Sequence, residues 1–150
     1  MPKAIVKRDE VVSLINDLIQ VCRDGEKGFM DAASHIENPS TRAFLSEESR
    51  IRGRYADQLG QEVSQLGGKP ESEGSTTGSI RRAWMDLKSS LGGGDKAILT
   101  SCEASEDVTV DTFRKALANV LPDPVNGVLA QQFEAIERSH ERVRALRDSA

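Results

Sequence analysis

Six side chains carry the chemistry that this sequence offers: Glu26, Glu48, Glu103, Glu106, Glu137 and His140. Each interrupts or borders an apolar stripe at the three-and-four spacing of a helix, where a hydrocarbon side chain is expected. Burying an unpaired carboxylate costs on the order of several kcal/mol, so such groups need a proton, a counter-charge or a metal ion. Carboxylates with one imidazole suit iron, manganese or zinc, either as one ion or as two bridged by glutamates from facing helices.

Counting outward from the turns sets their depth. Glu106 lies 17 residues before Asp123 and His140 lies 17 after it, which places them at one level. Glu103 and Glu137 fall about one turn to either side. Glu26 is 13 residues before Pro39 and Glu48 is nine after it. That four-residue mismatch is about 6 Å of helical rise, within the reach of two glutamates. The count predicts one polar layer across a bundle, in which His140 is either a metal ligand or a hydrogen-bonded partner of Glu106 or Glu103.

Four long amphipathic segments must hold that layer. The first runs from about Asp9 to Ile36, with Ile15, Ile19, Cys22, Glu26, Phe29, Ala33 and Ile36 on its seam. Pro39 breaks it, and Ser40 or Thr41 can cap the second, at roughly 41–66, whose inner face carries Phe44, Leu45, Ile51, Tyr55, Leu59, Val63 and Leu66. The third covers about 95–119 behind an Asp95 cap, with Leu99, Cys102, Glu106, Thr109, Phe113, Ala116 and Val120 inward. After Asp123 and Pro124 the fourth reaches about 147 on Leu129, Phe133, Ile136, His140 and Val143. Residues 67–94 form a crossover rather than a linker, because neither hairpin can bury its own seam alone. Within it "IRRAWMDLKSSL" is a short helix with Ile80, Trp84, Leu87 and Leu91 on one side, Trp84 being its dock onto the bundle.

Composition bounds the rest. A chain of 150 residues with 37% hydrophobic and 29% charged side chains builds one soluble domain, here residues 1–150. A net charge of −4 without a cluster of Lys and Arg argues against nucleic acid. No apolar run is long enough to span a membrane, and no cleavable leader stands out, so a cytoplasmic location is expected. Cys22 and Cys102 lack zinc-site spacing and read as buried free thiols. "GGG" at 92–94 precedes Asp95, so it is a turn and not a phosphate loop.

The carboxylate and histidine constellation resembles that of ferritin-like four-helix bundles. Their dinuclear site takes one Glu from each of two helices and a Glu-x-x-His pair from each of the others. More closely, "DLIQVCRDGEKGF", "GSIRRAWMDLKSSLGGGDKAIL", "CEASED" and "HERVRALRD" resemble an uncharacterised bacterial branch of that superfamily, distantly rubrerythrin-like. The resemblance covers about residues 12–148. It implies an all-α, antiparallel four-helix bundle with a long crossover carrying a short extra helix between its second and third helices. It also implies that Glu26, Glu48, Glu103 or Glu106, and Glu137-x-x-His140 are the metal set.

The chain departs from that pattern on its second helix, which reads Glu48-x-x-Ile51 and lacks a histidine, while Arg50 and Arg52 stand ready to neutralise carboxylates in a metal's place. The leading expectation is a metal-binding bundle, holding one or two ions of iron, manganese or zinc and concerned with iron handling or oxidative stress. The rival is a metal-free bundle that acts through self-association, a dimer first, or through a protein partner.

Overall fold

A computed structural model of the chain describes residues 7–71 and 78–150. Five helices follow one another: α1 (Arg8–His35), α2 (Pro39–Gln65), α3 (Gly78–Ser90), α4 (Asp95–Leu117) and α5 (Val125–Asp148). The described residues form an all-helical bundle of four long helices, with the short α3 in the crossover. Among them no helix is long and apolar enough to cross a membrane. Val120, expected on the third seam, lies past the end of α4 and is exposed.

The turn between α1 and α2 is built by Asn38, not by Ser40 or Thr41. Its side-chain oxygen accepts from the backbone N–H groups of Ser40 at 3.0 Å and Thr41 at 3.1 Å. Pro39 opens α2, where its missing N–H would have had no helical partner in any case. Asp95 does not cap α4 but lies in its first turn. Its carboxylate accepts from the backbone N–H groups of Glu37 at 2.8 Å and Asn38 at 3.0 Å. That contact ties the start of α4 to the start of α2, so these two helices run parallel. α1 and α5 run against them, and α1 packs on α4 as α2 packs on α5.

The core is continuous through the long helices, with Ile15, Phe29, Leu45, Leu59, Leu99, Phe113, Leu129 and Val143 fully enclosed. The crossover helix closes it from one side through Trp84 and Leu87. Trp84 meets Phe29 edge-on, with ring centroids 5.5 Å apart. Its ring lies directly on Gly28, where a β-carbon would overlap it. The side chain of Ile80, expected on the same face, lies outside the described part of the chain.

On α5 Gln132 is enclosed while Phe133 is only half-buried, and the α2 seam as a whole is rotated from its expected position. On α2 the buried positions include Leu45, Ser49, Arg52, Ala56, Leu59 and Val63, an unbroken four-and-three series with an arginine at its centre, flanked by buried Thr41, Gly53 and Glu62. Phe44, Ile51, Tyr55 and Leu66 are only half-buried. An arginine counts as polar in any pattern, so the apolar residues beside it look like the inner face.

Candidate metal centre beside a buried ion pair

The centre of the bundle is held by Arg52. Its guanidinium donates to both oxygens of Glu106 on α4, at 2.8 Å and 2.6 Å, and both side chains are completely buried. Ser139 on α5 donates its hydroxyl to Glu106 Oε2 at 3.2 Å. Phe29 on α1 presents its ring 5.0 Å from the guanidinium carbon. Gly25 gives the arginine its room: a β-carbon there would come within 3.4 Å of Arg52 Cγ and Nη1. All four long helices therefore meet at one charge pair. Burial works against the Arg52 charge, but the Glu106 carboxylate and then Glu48 more than offset it, so its pKa is raised.

Glu48 lies one turn before Arg52, with Oε2 3.9 Å from the guanidinium and its side chain 12% exposed. Burial raises its pKa; Arg52 opposes that shift and Glu106 adds to it. Glu26 does not enter this layer. Its carboxylate is 39% exposed, pairs with Arg23 at 3.2 Å and rests against Gly53 on the flank of the α1–α2 contact. Gly25 and Phe29 turn inward in its stead. Arg50, the other arginine expected to neutralise a carboxylate, is exposed and pairs with Glu47.

This layer does not fit a dinuclear metal site. Both oxygens of Glu106 are taken by the guanidinium, the second histidine is absent, and Glu26 faces away. The positive charge that the carboxylates require is already supplied by a side chain.

A second cluster lies on the α4–α5 face. His140, 9% exposed, places Nε2 2.6 Å from Asp107 Oδ1, and its Nδ1 is 3.7 Å from Glu141 Oε1. Glu103, one turn before Asp107, has a side chain 14% exposed and is paired by Arg147 at 2.6 Å, with Arg144 at 3.9 Å. One donor atom from each of Glu103, Asp107 and His140 lies within 4.8 Å of the others. The level count brought His140 to the right depth, but its partner is Asp107 and not Glu106 or Glu103. Glu137 is exposed, makes no hydrogen bond or ion pair among the described residues, and stands outside both clusters.

Two members escaped the reading of the sequence. Asp107 had a signal, since it follows Glu103 by four residues and so shares its face. Ser139 had none. Burial pushes the Cys22 thiol up to about 12 and raises that of Cys102 as well, as expected of free thiols enclosed in the core.

Residues 10–119, from α1 through α4, match the sequence profile of a family described as a domain of unknown function, DUF2383. No curated protein matches the chain.

Proposed function

The chain belongs to the DUF2383 family, a domain of unknown function, and from that premise we propose that it is a ferritin-like bundle binding a single divalent transition-metal ion at Glu103, Asp107 and His140. The parallel α2 and α4, joined by a crossover helix, and the polar layer at mid-height support the ferritin-like part. The metal part rests on one observation: the three donor atoms lie within 4.8 Å of one another. Ligands about 2.1 Å from a common ion stand at most about 4.2 Å apart, so the set lies within a small side-chain adjustment of that range.

Two carboxylates and an imidazole suit zinc, manganese or iron(II). Arg147 holds Oε2 of Glu103 at 2.6 Å, in the way an outer partner orients a ligand, while Oε1 meets Arg144 only at 3.9 Å, too long for a hydrogen bond. The 62% exposed Asp107 side leaves room for water as a further ligand. The rival reading, a metal-free bundle acting as a dimer or through a partner, draws on the Arg52–Glu106 pair, which satisfies the central layer by itself.

Titration of chelator-treated protein with zinc, manganese and iron(II), followed by calorimetry and elemental analysis, tests the proposal. One ion per chain is expected, lost in Asp107→Ala and His140→Ala and retained in Glu26→Ala and Glu137→Ala. At a hundredfold excess over Kd, binding adds about 2.7 kcal/mol to the stability of the fold. A protein that takes up no ion leaves the metal-free reading standing, and one that takes it up equally well in all four variants overturns the assignment to Glu103, Asp107 and His140.

A further inference from the structure

Turning Arg52 inward leaves a mark on the outside of the bundle. Between α2 and α5 runs a groove of about 380 Å³, within the range of small-ligand sites. One wall is the half-buried stripe of Phe44, Ile51 and Tyr55, displaced from the core by the arginine beside it. Because α5 runs antiparallel to α2, the opposite wall presents Arg142 near Phe44 and Arg138 farther along. Tyr55 follows Phe44 by eleven residues, so the groove is about 16 Å long.

Its polar groups are unevenly satisfied. Arg142 lies with its guanidinium carbon 5.8 Å from the Phe44 ring and makes no ion pair or hydrogen bond among the described residues. Stacking on an aromatic face orients the guanidinium while leaving its edge N–H groups free to donate. The Tyr55 hydroxyl at the far end has no protein partner among the described residues. Arg138 is neutralised by Glu134 at 3.1 Å, and Arg52 on the floor by Glu106. Glu48, also on the floor, has its carboxyl 3.9 Å from the Arg52 guanidinium. Beside these paired groups the groove offers an apolar wall, the unpaired Arg142 guanidinium at one end and Tyr55 at the other.

We propose that this groove binds a small amphipathic anion, a carboxylate on an extended apolar chain, with the carboxylate on Arg142 and the chain along Ile51 toward Tyr55. A planar guanidinium takes a carboxylate through two parallel N–H donors, which sets the direction of the ligand. The site shares no residue with the proposed metal centre and stands independently of it.

Decanoate, decanol and decyltrimethylammonium, each titrated into the full chain below its aggregation range, separate the contributions of charge and chain. Decanoate is expected to saturate one site per chain, with decanol weaker and the cation weakest. Arg142→Ala, at an exposed position, should weaken decanoate about tenfold and leave decanol unchanged, while His140→Ala changes neither. Amide shifts on decanoate addition should concentrate at residues 44–55 and 135–142. Absence of saturable decanoate binding, equal or tighter binding of the cation, an Arg142→Ala protein that binds decanoate as before, or shifts confined to another face would each overturn the proposal.

Discussion

Arg52→Leu puts the centre of the bundle to a direct test. The substitution leaves the fully buried Glu106 carboxylate with only the Ser139 hydroxyl at 3.2 Å. It also empties the space between Gly25 and the Phe29 ring. Removing one partner of a buried ion pair costs about 3–5 kcal/mol, because the remaining charge is stranded without water. For a chain of this length each kcal/mol moves the melting temperature by roughly 2–4 °C, so a fall of about 6–20 °C is expected. The double variant Arg52→Leu/Glu106→Leu removes both charges and should recover most of that loss, since apolar groups of similar volume replace such pairs at little or no cost. Urea and thermal unfolding followed by circular dichroism read both effects. A single variant within about 1 kcal/mol of wild type, or a double variant no more stable than the single, would refute the account of a desolvated pair that each partner makes necessary.

Two further outcomes follow from the packing. A carboxyl whose folded pKa is raised above its unfolded value weakens the fold as pH climbs between the two values; Glu48 is such a group. Glu48→Gln should therefore melt higher than wild type near neutral pH, with the gain vanishing as pH falls below the unfolded value of about 4.3; a pH series of melting curves checks this. Gly28→Ala places a methyl group into the ring of Trp84, the only tryptophan, and overpacking of this kind costs about 1–3 kcal/mol. Its fluorescence should shift to the red as α3 loosens, whereas Met30→Ala, at an exposed position on the same helix, should leave the emission unchanged.

Much of the fold was legible because periodicity records burial directly. Cys102, Glu106, Thr109, Phe113 and Ala116 recur at four and three on α4 and all are buried, as are Leu129, Ile136, His140 and Val143 on α5, where Phe133 of the expected seam is only half-buried and Gln132 is enclosed instead. Trp84 announced the docking of the crossover helix, although nothing in the pattern marked Gly28 as the surface that receives it.

The site was legible only as a set of residue types at a depth. The count from Asp123 fixes the height of a residue along the bundle, and His140 does lie level with the 106–107 pair. Height is a matter of rise, which the sequence sets at about 1.5 Å per residue. Direction is not, because neighbouring residues on a helix point about 100° apart and the rotation of each helix is decided by its contacts. On α4 that rotation sends Glu106 inward to Arg52 and Asp107 outward to His140. On α2 it buries Arg52 and leaves Ile51 to line a groove, since an arginine enters a core only when a partner on another helix meets it. The sequence by itself determined which elements form and how deep their polar residues lie. Only the tertiary structure decided which carboxylate meets the guanidinium and which meets the imidazole.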